Sequence, residues 1–238
     1  MHERRERFEH IYRILEEEYA DTSSFISFAE PFQLLVGVIL SAQSTDRQVN
    51  LILPELFVRF PTPKDLAEAP AEEIETLVRS VGFFRMKARN IKETARLVHE
   101  RWRGRVPERM EDLLLLPGVG RKSANVIRGT IYGRPAIIVD THFGRVVRRL
   151  GLTEERTPER IERDLASWIP PGKQYPFSMR INRHGRAVCT ARRPACESCR
   201  LAPFCLRRGV VSRGEEERGG LGDDSTTRAR SGESPGAR

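Results

Sequence analysis

The chain has 238 residues, 41 basic against 33 acidic for a formal charge of +8, and 39% hydrophobic residues. That length supports one or two domains with an apolar core, and no apolar run nears the ~20 residues of a membrane span. The longest, Leu34–Leu40, is seven residues with a glycine inside, and Met1-His-Glu-Arg-Arg opens a charged stretch with no signal-peptide core. A membrane protein is excluded on this ground and a cytoplasmic one is expected. The basic surplus favours a polyanionic partner, nucleic acid before a membrane surface.

In chain order, Phe8, Ile11, Tyr12, Leu15 and Tyr19 recur at helical spacing. Ile74, Leu77, Val78 and Val81 form a second stripe, and Phe84, Ala88, Ile91, Ala95, Val98 and Trp102 a third that spans a full helix. Leu113–Leu116 is an apolar turn that ends at Pro117, with a new helix starting near Arg121. Ile137-Ile138-Val139 has strand character but no strand to pair with, so it reads as a buried extended linker. Thr157-Pro158 is an N-cap followed by a first-turn proline, opening a helix that buries Ile161, Leu165 and Trp168. From Val211 onward almost nothing is apolar, and residues 211–238 are expected to be disordered. That tail holds five arginines and six acidic residues, so a surplus of +9 belongs to residues 1–210. The fold class is all-α.

Three constellations carry chemistry. In Pro117-Gly118-Val119-Gly120-Arg121, glycines allow a tight reversal and close approach of a phosphate to outward-facing N–H groups. This is the pattern of a helix-hairpin-helix, which holds the DNA backbone without reading bases. Behind it stands Lys122, one of only five lysines beside 36 arginines. A lysine amine can lose its proton and attack carbon, which a guanidinium effectively cannot. Eighteen residues on, Asp140 is placed to cap the helix beginning Thr141-His142, and a carboxylate there could also accept the amine's proton. His142 reads as structural.

The four cysteines, Cys189, Cys196, Cys199 and Cys205, all fall in one 17-residue stretch spaced C-x6-C-x2-C-x5-C. Independent buried thiols would scatter, and nothing suggests the oxidising compartment that two disulfides need. Four thiolates from one loop suit a metal centre, and spacing alone leaves tetrahedral zinc and an iron–sulfur cluster both open. Eight arginines surround the loop in sequence (Arg180, Arg183, Arg186, Arg192, Arg193, Arg200, Arg207 and Arg208) against one acid, Glu197.

Through these motifs the chain resembles the endonuclease III family of helix-hairpin-helix DNA glycosylases over about residues 25–207. Leu116-Pro-Gly-Val-Gly-Arg-Lys-Ser-Ala-Asn125 matches the family hairpin and its lysine nucleophile, here Lys122. Val139-Asp-Thr-His142 matches the segment with the catalytic aspartate, here Asp140. The cysteine loop matches the family's [4Fe–4S] ligands, and His184-Gly-Arg186 before it also fits. Leu40-Ser-Ala-Gln-Ser-Thr-Asp46 matches the segment whose glutamine, here Gln43, enters the gap left by an extruded nucleotide. The resemblance implies DNA contact by Gln43, Phe83, Gly118, Val119, Gly120 and Arg121, with Ser41, Asp46, Thr141 and His142 in support.

It further implies a six-helix domain over 24–134 and a cluster domain from 1–23 plus 135–210, with the active site in the cleft between them. The partner would be duplex DNA holding a damaged pyrimidine or an abasic site, bound by a monomer associated with the nucleoid. Lys122 would displace an oxidised pyrimidine, and the resulting Schiff base would cut the strand 3′ to the lesion by β-elimination. The chain departs from the family at Arg85 and Met86 beside the Phe83 wedge, at Gly144, and in the polar run Met179-Arg-Ile-Asn-Arg183. Two rivals are a monofunctional mismatch adenine glycosylase, which lacks lysine at this position, and a catalytically silent DNA-binding or redox relative.

Overall fold

The computed structural model describes residues 2–210; the tail expected to be disordered lies outside the described residues. Every regular element among the described residues is helical. The helices are α1 (His2–Glu18), α2 (Pro31–Ser41), α3 (Asp46–Arg59), α4 (Pro63–Glu68), α5 (Ala71–Leu77), α6 (Phe84–Trp102), α7 (Met110–Leu114), α8 (Arg121–Tyr132), α9 (Thr141–Arg149), α10 (Pro158–Ala166) and α11 (Pro171–Ala187). Seven helical segments, α2 to α8, lie between residues 24 and 134, the short α7 leading into the next turn. No helix among the described residues is long and apolar enough to cross a membrane.

Local sequence accounts for the helix starts. Thr45 accepts from the Gln48 N–H at 3.2 Å to open α3, and Thr62 forms a capping box with Asp65 ahead of Pro63 in α4. Helix α2 is apolar almost throughout and is buried on nearly all sides.

Buried apolar side chains fall into two clusters. One is built from α2 to α8, with Leu35, Leu40, Leu56, Ile91 and Ile127 fully enclosed. The other joins α1 to α9, α10 and α11. Phe8 of α1 meets Trp168 and Phe177 edge-on, with ring centroids 5.4 and 5.1 Å apart, which returns the first helix to the last part of the fold.

The chain crosses between the clusters through the extended segment 134–140, where Ala136–Val139 are buried. A buried backbone needs hydrogen-bond partners, and here side chains supply them. Asn125 of α8 donates to the Ile137 carbonyl at 3.2 Å, and Ser178 Oγ of α11 accepts from the Ile138 N–H at 3.0 Å. No strand is required. Gly129 lets α8 and α11 meet, because a Cβ there would lie on the Tyr175 ring; the Tyr175 hydroxyl hydrogen-bonds Thr130 at 2.8 Å.

A second joint links the turn after α2 to the start of α6. Gln43 and Phe83 both adopt left-handed backbone, with φ of +55° and +57°. Under them lies Lys87, 2% exposed, whose ammonium donates to Ser44 Oγ at 2.8 Å. Gln48 adds a bond to Ser80 at 2.8 Å. Burial holds the Lys87 amine below the ordinary lysine value of 10.5.

Two predictions follow from these joints. Gly129→Ala should destabilise the fold by about 1–3 kcal/mol through overpacking, read from denaturant unfolding. Lys87→Met should raise the melting temperature at neutral pH, because a buried charge with one neutral partner is costly. The folded state releases the Lys87 proton at lower pH than the unfolded chain, so parent stability rises as pH climbs toward 10.5. The methionine advantage should therefore shrink over that window.

Candidate active site and cysteine loop

The hairpin between α7 and α8 is shaped by its glycines. Gly118 has φ +83°, and a Cβ there would press Ile39 and Asn90 at 2.9 and 3.0 Å. The Val119 N–H closes the turn onto the Leu116 carbonyl at 3.0 Å and its side chain is buried, so Val119 anchors the hairpin to the core. Gly120 caps α8 with extended backbone and no side-chain acceptor. The first-turn N–H groups of α8 thus have no capping side chain, which is the arrangement that receives an anion. Arg121 is not free: its guanidinium makes a two-pronged pair with Glu162 of α10 at 2.7 and 2.9 Å.

Lys122, one residue further, lines a cleft together with Asp140, Ser41, Asp46, Asn182 and Arg186. These six come from α8, the α9 start, the end of α2, the start of α3 and the end of α11. Asp140 caps α9 with one oxygen, Oδ1, which accepts the Phe143 N–H at 2.7 Å. Its Oδ2 accepts from the Asn182 amide. Asp46 and Arg186 form an ion pair at 2.6 Å across the cleft wall, and Ser41 Oγ donates to the Val38 carbonyl at 2.9 Å. Thr141 is exposed at the first position of α9, while His142 Nδ1 lies 3.3 Å from the Arg145 guanidinium. Gln43 and Phe83 stand exposed on adjoining turns, Phe83 at 64%.

The cysteine loop is held by arginines that sequence reading missed. Arg149 of α9, 7% exposed, donates to Cys189 Sγ at 3.4 Å and to the carbonyls of Thr190 and Ala191 at 2.7 and 2.8 Å. Arg145 donates twice to the Cys189 carbonyl. The Arg207 N–H points at Cys205 Sγ from 3.4 Å. His184 bridges Tyr19 and Cys199 Sγ, at 3.3 and 3.6 Å, and burial lowers its value to about 4, so the ring is neutral at ordinary pH. All four thiols are free. Burial pushes the Cys199 and Cys205 thiols up, and the neighbouring cysteines add to the effect.

Such a group resists becoming four thiolates unless a metal cation compensates them. Among the described residues no three Cys, His, Asp or Glu side chains converge tightly enough to hold a single ion. The four sulfurs, near enough for Cys189, Cys196 and Cys205 each to raise the Cys199 thiol, are a donor set of the kind an iron–sulfur cluster or a zinc ion takes.

Five of the eight loop-flanking arginines are engaged elsewhere. Arg180, Arg183, Arg186, Arg200 and Arg208 pair with Glu16, Asp21, Asp46, Glu17 and Glu154, respectively. Their carboxylate partners lie far off in sequence, which is why a local count misjudged them.

Comparison with known proteins places this geometry in a family. A family model described as HhH-GPD superfamily base excision DNA repair protein matches residues 36–171. Endonuclease III of Synechocystis sp. (strain ATCC 27184 / PCC 6803 / Kazusa) is 47% identical over 206 residues, 86% of this chain and 94% of that protein. Endonuclease III of Escherichia coli (strain K12) is 38% identical over 180 residues, 76% and 85% of the two chains. A solved trapped endonuclease III–DNA covalent intermediate superposes with a TM-score of 0.79 at 36% identity, covering 90% of this chain and 97% of that one. A thermostable thymine-DNA glycosylase reaches 0.75 at 26% identity, with 85% and 95% covered. The chain belongs to the endonuclease III family within the HhH-GPD superfamily.

Proposed function

We infer that this chain is a bifunctional DNA glycosylase and abasic-site lyase of base excision repair, acting on duplex DNA with an oxidised pyrimidine. The observation that carries the lyase half is the meeting of Lys122 and Asp140 in one cleft, an amine and a carboxylate delivered by two separate helix starts. A monofunctional adenine-type glycosylase needs no amine there, and a silent relative needs neither group. Neither rival is favoured by the site.

The damaged nucleotide leaves the stack at a cost of about a few kcal/mol, with Gln43 and Phe83 filling the space it vacates. Their exposure on adjoining turns supports that role. The α8 N-terminus beyond Gly118 and Gly120 receives a backbone phosphate, and Arg121 joins it by leaving Glu162. Asp140 takes a proton from the Lys122 ammonium, and the free amine attacks the sugar C1′. The bond from C1′ to the base breaks, and the base departs with the electron pair and gains a proton. The C1′–O4′ bond then opens as the nitrogen lone pair forms the Schiff base and O4′ takes up a proton; loss of a C2′ proton from the Schiff base expels the 3′ phosphate. Ser41 and Asp46 line the cleft around this reaction, and Thr141 and His142 follow Asp140 in the first turn of α9.

Cys189, Cys196, Cys199 and Cys205 would hold the [4Fe–4S] cluster, with Arg149 and the Arg207 N–H offsetting thiolate charge. When bound, the cluster ties the loop into one rigid unit. We read the two apolar clusters as the cores of two domains, residues 24–134 on one side and 1–23 with 135–210 on the other. The cleft is their junction, and the protein works in the cytoplasm with the nucleoid.

On an abasic-site duplex, borohydride should trap a covalent adduct that Lys122→Ala abolishes. Asp140→Asn keeps the helix cap and should slow trapping by roughly 10²–10⁴-fold. Undiminished trapping in the Lys122 variant would remove the nucleophile assignment. The purified protein should be yellow-brown with about four irons per chain; a colourless zinc protein would contradict the cluster.

A further inference from the structure

One departure from the family pattern is the polar run Met179–Arg183 within α11. Its Met179, Ile181 and Asn182 are all buried, so an asparagine stands where burial alone would select an aliphatic residue. Asn182 is 6% exposed and lines the cleft with Lys122 and Asp140.

Its amide is oriented by chemistry. An ionised carboxylate only accepts hydrogen bonds, so the group facing Asp140 Oδ2 is the NH2 end of Asn182. The other carboxylate oxygen is already taken by the Phe143 N–H of the helix cap. Asp140 is therefore held from both sides, with its free capacity left on Oδ2 beside Asn182. The opposite end of the amide, Oδ1, is buried with no donor among the described residues. An orphaned buried acceptor opposes stability, and neither packing nor local hydrogen bonding explains keeping it.

We propose that Asn182 is a positioning residue for Asp140: it fixes Oδ2 in the orientation that receives the Lys122 proton. The cap alone leaves the carboxylate free to turn about its bond to Phe143, and the Asn182 bond removes that freedom. The inference rests on Asp140 being the partner of Lys122 and adds a residue from a third element to the pair.

Three variants and one double variant test it, read as the single-turnover rate of borohydride-trappable adduct with enzyme saturating. Asn182→Leu, near-isosteric without a donor, should be about ten- to a hundred-fold slower. Asn182→Asp, isosteric but setting an acceptor against Oδ2, should be slower still, while Asn182→Gln keeps a donor and should retain the most rate. Affinity for the abasic duplex should stay within about twofold, since Asn182 meets no phosphate in this scheme. Asn182→Leu added to Asp140→Asn should cost nothing further, because the effect runs through Asp140.

Parent rates in both the leucine and aspartate variants would overturn the proposal. So would equal slowing by leucine in the presence and absence of Asp140. If leucine prevents folding, judged by melting temperature, the order glutamine above aspartate carries the test and its reversal refutes it. Parent-level trapping by Asp140→Asn would instead bring down the reading of Asp140 itself, a separate outcome.

Discussion

The fold turns on a short extended segment, Ala136–Asp140, threaded between two apolar clusters. Ala136–Val139 are buried without a strand partner, and two polar side chains, Asn125 and Ser178, bond the Ile137 carbonyl and the Ile138 N–H. Because one side chain comes from α8 of the first cluster and the other from α11 of the second, the segment sits where both are assembled. It then ends at Asp140, which starts α9 and faces the cleft. The position of the carboxylate relative to Lys122 is thus set by core polar bonds rather than by a surface loop, the kind of preorganisation a proton transfer between two side chains needs.

The same economy appears around the cysteine loop. Arg149 is almost wholly buried and makes bonds to two carbonyls and one sulfur, all within three residues of the loop. A planar fork with several donors suits that task better than a lysine ammonium. Five of the eight arginines near the loop in sequence are paired to acids, so they brace the fold as well as adding charge. Each pair cancels one charge of each sign, so the surplus of +9 over residues 1–210 stands undiminished.

Much of this was legible in sequence because it is local. Thr157-Pro158 announces a helix start and Gly118-Val119-Gly120 a reversal, and the four cysteines fall in one loop, each feature within a few residues. Ile137–Val139 was also readable as buried and unpaired, from its apolar character and the lack of another strand. Other features depend on residues distant in the chain. Arg149 lies 40 residues before the sulfur it touches, Arg121 lies 41 before Glu162, and Asn182 lies 42 after the carboxylate it holds. No spacing rule reaches that far. The polar run in α11 was visible as an anomaly, but only the packing of α11 against the Asp140 segment gives it a purpose.

The lyase chemistry inferred for this chain rests on one particular amine. The chain has five lysines, so the claim can be tested by locating the bond. After borohydride reduction on an abasic-site duplex, proteolysis and mass spectrometry would show which peptide carries the sugar remnant. The mass is expected on Lys122 alone. A remnant on Lys87, or spread over the exposed lysines, would contradict it.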